Sequence, residues 1–282
     1  MAPKLPRRRF LSCAAATVTG CLTTGLYIWQ VEPYWVEQVS RLLPLHNLPQ
    51  QLIGCTLVQL SDLHIGLQVN DDYLRDVFKA VKQLRPEFVV MTGDLTSYHR
   101  NILPHAESLL ADFPRGSLAT LGVLGNHDYG LGVRDYRHAD RLAELAAASG
   151  LQLLRNERVD VEGLAIVGVD DLWANRFDVA KPLRGLANDV ASVALSHNPD
   201  TADLPGWGGY RGWVLAGHTH GGQCKPPFLN PPLLPVKNRR YVAGEYALAD
   251  GRRMYINRGV GHLLPVRFNV RPEVTIFRLT RA

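Results

Sequence analysis

Between Cys55 and Met91 the chain reads strand, helix, strand, and that unit sets the class of fold. Cys55-Thr56-Leu57-Val58-Gln59-Leu60 is a short β-type apolar run. Asp71–Leu84 then places Tyr73, Leu74, Val77, Phe78 and Val81 at helical spacing, with Asp71 and Asp72 at its start and Pro86 closing it. Phe88-Val89-Val90-Met91 follows at once. Strands alternating with helices predict an α/β architecture. Further strands are expected over 118–124, 164–169, 192–195, 212–216, 254–256 and 274–277, and Arg134–Ser149 is an Ala/Leu-rich helix ended by Gly150. Trp35–Leu45 alternates loosely beside Pro44 and Pro49, as an edge strand or hairpin would. No solenoid-length repeat and no linker divides the body, so residues 51–282 form one domain behind a connector at 31–50.

Residues 1–30 read as an address. Lys4, Arg7, Arg8 and Arg9 precede an uncharged run from Phe10 to Trp29, the basic and apolar halves of an export signal. Arg7-Arg8-Arg9-Phe10-Leu11 resembles the twin-arginine signal, whose partner is the twin-arginine export machinery. A membrane anchor is the overlapping reading, since about 20 apolar residues span the hydrocarbon core. Val18-Thr19-Gly20-Cys21 resembles a lipobox, an alternative that would lipidate Cys21. Both place the body at the outer face of a bacterial inner membrane, where Cys55 and Cys224 could in principle pair. The four leading cations also explain the net charge of +5; without them the 31 basic and 26 acidic residues nearly balance. A near-neutral body lacks the basic groove of a nucleic-acid binder, so no nucleic acid is expected.

What decides function is what stands just past each strand. The first is followed by Ser61-Asp62-Leu63-His64, the second by Thr92-Gly93-Asp94, the third by Gly125-Asn126-His127-Asp128. Later strands give Ser196-His197-Asn198-Pro199 and Gly217-His218-Thr219-His220-Gly221-Gly222. Ligands of open α/β sheets bind at the carboxyl ends of strands, so the five loops can converge. Singly, each is ordinary: Asp-x-His and Gly-Asp are common turns, and a lone His is more often a satisfied surface residue. Together they offer oxygen and nitrogen donors with no Cys, which suits Mn²⁺, Fe or Zn²⁺ rather than a structural zinc site.

These motifs, D-x-H, G-D, G-N-H-D, H and G-H-x-H in that order, resemble the calcineurin-like metallophosphoesterase superfamily over roughly residues 50–280. Ser61–His64, Ser196–Asp200 and Ala216–Gln223 look most like its bacterial exported or membrane-anchored phosphodiesterase branch. The resemblance implies a four-layer αββα sandwich and two divalent metal ions about 3.5–4 Å apart. By it, Asp62, His64 and His220 would hold the first metal, Asn126, His197 and His218 the second, and Asp94 would bridge them. A bridging hydroxide would attack phosphorus in line, with His127 as general acid for the leaving alkoxide. Asp128 would either orient His127 or hold the loop, and Arg258 and His262 could border the site.

Substrate is less legible. The Pro-rich stretch from Pro226 to Pro235 would give an apolar wall beside the site through Phe228, Leu229, Leu233 and Leu234. It reads either as a tightly packed surface loop or as a contact for an acyl chain or membrane. The expected function is a metal-dependent phosphohydrolase, a phosphodiesterase, acting on a phosphodiester or a phosphate-containing small molecule or lipid. Two alternatives stand beside it: a UDP-2,3-diacylglucosamine-type pyrophosphatase of lipid A synthesis, and a non-catalytic envelope binding protein that kept the fold.

Overall fold

The computed structural model describes residues 7–99 and 101–282. Lys4 and the rest of residues 1–6, part of the basic end of the expected export signal, lie outside the described residues. From Arg7 the chain forms one exposed helix, α1 (Arg7–Leu26), continued by a wider turn over Tyr27–Val31 and a tight one over Glu32–Tyr34. The stretch Leu11–Tyr34, 24 residues, has the length and composition to cross a membrane.

The body is two six-stranded sheets face to face. The first has the order β1 (Glu37–Leu45), β12 (Glu273–Arg281), β2 (Thr56–Leu60), β3 (Phe88–Thr92), β4 (Ala119–Val123), β5 (Gln152–Leu153). The second has the order β10 (Gly244–Ala247), β11 (Arg253–Ile256), β9 (Trp213–Ala216), β8 (Ser192–Leu195), β7 (Leu164–Gly168), β6 (Glu157–Val161). Strands β2 to β5 run parallel, as do β7, β8, β9 and β11. Strand β1 is an edge strand rather than half of a hairpin, paired parallel to β12 along all of its residues.

Three apolar layers hold these sheets. On β3, Val89 and Met91 face the helices while Phe88 and Val90 face the other sheet, the alternation a pleat imposes. With both faces covered, all five residues of β3 are buried. Helices α2 (Asp71–Gln83), α3 (Ile102–Leu110) and α4 (Tyr136–Ala148) cover the outside of the first sheet. Helix α2 begins where the Asn70 side chain accepts a hydrogen bond from the Tyr73 amide, with Asp71 and Asp72 at the positive end of the helix dipole. It buries Leu74, Val77, Phe78 and Val81, the face its spacing predicts.

The outer layer of the second sheet is thin. Its only α-helix among the described residues is the one-turn α5 (Ala180–Leu183), stopped at Gly185, whose φ of +72° is the left-handed geometry of a helix end. Aromatic loop residues, Trp207, Tyr210 and Tyr241, do the burying there instead. The αββα plan therefore holds with one layer carried mostly by loops.

Candidate metal-binding active site

Parallel pairing brings the five polar loops to one end of both sheets. Within the first sheet the Asp62 amide donates to the Gly93 carbonyl at 2.9 Å and the His64 amide to the Asp94 carbonyl at 3.1 Å. Between the sheets, the Gln59 side-chain amide donates to the Ala216 carbonyl and to the Thr92 hydroxyl. The loops approach so closely that a Cβ on Gly93 would lie 2.5 Å from His197 Nδ1, and Gly93 has a φ of +92°. Only a residue with no side chain lets the second and fourth loops meet.

Two groups of three donors form there. Donor atoms of Asp62, His64 and His220 lie within 4.8 Å of one another, and those of Asp94, His197 and His218 do the same. All six residues are buried. His64 Nε2 stands 3.1 Å from His220 Nε2, and His220 Nε2 stands 3.2 Å from Asp62 Oδ1. In the second group His197 Nε2 is 3.1 Å from His218 Nδ1 and 3.2 Å from Asn126 Oδ1. Asp94 Oδ2 lies between the groups, 3.2 Å from His197 Nε2 and 3.7 Å from His64 Nε2. Every residue expected to ligate a metal thus lies in this one cluster.

The outer ring nitrogens face hydrogen-bond partners that spacing in the sequence could not disclose. His64 Nδ1 meets the Ser97 hydroxyl at 2.9 Å, His197 Nδ1 donates to the Thr92 carbonyl at 2.8 Å, and His218 Nε2 donates to the Pro235 carbonyl at 2.8 Å. A partner on the outer nitrogen fixes each ring and leaves the inner lone pair free for a cation. Converging imidazole and carboxylate donors without thiolate fit Mn²⁺, Fe or Zn²⁺, and the chain's residues fit a pair of such ions. Five of these residues, Asp62, His64, Asp94, His218 and His220, have left-handed backbone, with φ between +49° and +71°. Side chains pay for that conformation, and its concentration here marks a functional centre.

Burial and charge pairing shift the titrating groups of the cluster. Burial pushes the His64 imidazole well below its usual range. Burial together with the nearby His197 lowers His218 to about 3. Burial also works against a charge on His197, but the Asp94 carboxylate outweighs it and raises His197 to about 10. For Asp62 burial favours the protonated form, yet the His220 ring beside it wins and holds the carboxyl below its usual range.

His127 is half-buried at the rim, its ring edge-on to His64 with centroids 5.1 Å apart, and its amide donates to Asp94 Oδ1 at 2.8 Å. Asp128 does not orient it. The Asp128 carboxylate accepts from the amides of Leu95, Thr96 and Gly125 and from the Thr96 hydroxyl, tying the second and third loops together. Arg258 is likewise committed elsewhere, to Glu273 and Glu37, with no part in the cluster. His262 is buried with Nε2 on the Gln68 carbonyl, and burial lowers it to about 4. Sequence reasoning missed Trp173, whose ring meets His218 edge-on at 4.6 Å, and the buried Arg267, whose guanidinium lies 3.5 Å from His220 Nδ1. Neither sits in a motif or beside one.

The calcineurin-like phosphoesterase family matches residues 55–222, which include every one of the five loops. The chain belongs to that family. It is an α/β metallophosphoesterase, and several relatives match it over nearly their whole length. It is 31% identical to the uncharacterized metallophosphoesterase YkuE of Bacillus subtilis, over 98% of both chains. It is 30% identical to the phosphodiesterase YaeI of Escherichia coli, over 98% of this chain and 99% of that one. A third relative, the UDP-2,3-diacylglucosamine pyrophosphatase LpxG of Chlamydia trachomatis, is 26% identical over 93% of this chain and 96% of its own. All four cysteines are free, so the possible Cys55–Cys224 pair is not formed.

Proposed function

We propose that this metallophosphoesterase is a membrane-anchored phosphodiesterase working on two divalent cations at the cluster. The placing of Asp94 Oδ2 between two donor groups, each of whose imidazoles turns one ring nitrogen inward, carries this reading. Asp62, His64 and His220 would hold one ion, Asn126, His197 and His218 the other, with Asp94 shared. The ions would supply Lewis-acid activation of water and neutralise phosphoryl oxygens. Asp94 also accepts from the His127 amide through Oδ1, so the residue that the two ions would share also fixes the backbone of His127. His127, outside both donor groups and at the rim, donates a proton to the leaving oxygen as the ester bond breaks.

Hydrolysis of bis(p-nitrophenyl) phosphate by the full chain in detergent, with Mn²⁺ or Zn²⁺ added, tests this reading. Turnover abolished by chelator and restored by metal is the expected result; a folded, metal-loaded protein with no hydrolysis overturns it. His127→Ala should retain both metals and lose about 10²–10⁴-fold in turnover, most severely with poor leaving groups. Full activity of that variant on an alkyl diester would remove His127 from the reaction.

Location belongs to the same proposal. The apolar helix of Leu11–Tyr34 behind a twin-arginine-like start supports export by the twin-arginine route, with retention at the outer face of the inner membrane. Protease digestion of the body in spheroplasts would check it, and protection would favour a second reading. That reading places the body in the cytoplasm as a pyrophosphatase of a nucleotide-linked diacyl lipid, favoured by the end-to-end similarity to LpxG.

A further inference from the structure

The loop from Pro226 to Pro235 is pinned between the metal centre and the anchor. At its start, Cys224 bridges Phe268, and the Lys225 amide donates to the Phe268 carbonyl at 2.8 Å. The neighbouring Arg267 amide donates to the carbonyl of Ile28, within the end of the membrane-spanning stretch, and Glu32 accepts from the Val270 amide. At its end, the Pro235 carbonyl accepts from His218 Nε2. Between these points the loop lies against Gly222, where a Cβ would come within 2.1 Å of Pro231 Cβ.

Its apolar side chains do not turn inward. Phe228 is fully exposed, Leu233 is 79% exposed and Leu229 is 62% exposed, while Pro231 and Leu234 are buried. Leu263 and Leu264, leading to the segment bonded to Ile28, are exposed as well, and Gln223 donates to the Leu264 carbonyl. So many large apolar groups together are costly in water and mark a contact surface. Lys225 stands at the start of the loop and Arg239 donates to its Pro231, Pro232 and Leu234 carbonyls, and neither is in an ion pair among the described residues. Apolar groups at a membrane-spanning end, with cations beside them, are complementary to the acyl boundary and anionic headgroups of one bilayer surface. Trp29 and Trp35, half-exposed at the same end of the helix, are the residues that favour that boundary.

We propose that Phe228, Leu229, Leu233, Leu263 and Leu264 insert into the bilayer that α1 crosses, so that the metal centre is held at the lipid–water boundary. This rests on the anchoring reading above and adds a second contact to it. With Pro235 bonded to His218, the inserted loop forms one wall of the catalytic site. The phosphoesters favoured by such a site are those presented at an anionic membrane surface.

The test uses the full chain reconstituted in phosphatidylcholine–phosphatidylglycerol vesicles whose phosphatidylcholine carries bromine near the glycerol end of the acyl chains. Tryptophan is introduced by Phe228→Trp, separately by Leu233→Trp, and as a control by Leu118→Trp, just before β4 at the opposite end of the sheet. The emission added at 228 and at 233 should be quenched at least twofold by the brominated lipid, and that added at 118 left unchanged. If the protein floats with the vesicles but 228 and 233 quench no more than 118, the insertion is wrong and the anchor stands. A protein that does not float with the vesicles overturns the anchor, and the insertion with it. Two independent exposed positions guard against misfolding of either variant.

Discussion

At the scale of single residues, motif spacing gave the ligand types but not the backbone that aims them. Asp62, His64, Asp94, His218 and His220 adopt left-handed φ, which Asp and His tolerate better than most side chains but which motif spacing does not assign to any one of them. Their roles depend on partners far away in sequence, such as Ser97 for His64 and Pro235 for His218. Asp128 shows how a motif residue can be structural: its carboxylate is used up by the amides of neighbouring loops. Asp94→Asn should lose metal from both groups at once, because its Oδ2 faces both; metal analysis after dialysis would show it, and loss of a single ion would deny it the shared position. Asp171 offers a test through stability. Burial raises its carboxyl to about 6, with His197 only partly offsetting this, and its Oδ2 has no partner. The folded chain therefore keeps a proton that the unfolded chain, titrating near 4, has already lost, so stability falls as pH rises from about 4 to about 6. In the chelated protein, the stability of the parent relative to Asp171→Asn should drop by roughly 2–3 kcal/mol across that window. Denaturant titrations at pH 4, 5, 6 and 7 would read it, and a flat difference would rule it out.

At the scale of elements, strands and helices with strong periodicity were legible and weakly patterned ones were not. Strands β2, β3, β4, β7, β8, β9 and β11 and helices α2 and α4 lie where alternation and apolar spacing place them. Helix α3 escaped because it is short and carries Pro104 in its first turn, a position where proline costs little. Strand β6, Glu157–Val161, reads as polar because it is a charged edge strand, and β5 is only two residues long. The helical outer layer implied by the αββα plan is thin on the second sheet, where Gly185 stops α5 after one turn. Loop contact makes its own prediction. Gly93→Ala should strain the backbone and press on the His197 ring, costing about 1–3 kcal/mol of stability and weakening metal binding. Thermal melts with and without metal would measure both; an unchanged melting temperature would mean the loops can part.

At the scale of the whole molecule, the near-neutral body conceals an uneven distribution of charge. The net +5 comes from the leading tail, yet Lys225, Lys237, Arg239 and Arg240 flank one apolar loop in the chain, and folding ties Arg239 to its Pro231, Pro232 and Leu234 carbonyls. The connector expected at 31–50 proves to contain β1, which joins the first sheet only through β12. Strand β12 also carries β2, the strand that leads to Asp62 and His64. Deleting residues 273–282 should therefore leave an insoluble chain rather than a slightly weakened enzyme, because it unpairs β1 and removes one neighbour of β2. Expression of that truncation in soluble, active form would contradict the account of the sheet. The pairing also bears on the order of events in the cell. Strand β1 opens the body and its partner β12 is made only much later in the chain, so a chain threaded outward head first would present β1 to the far compartment while β12 was still unmade. Until then β1 is an open edge, and the first sheet is completed only when β12 arrives.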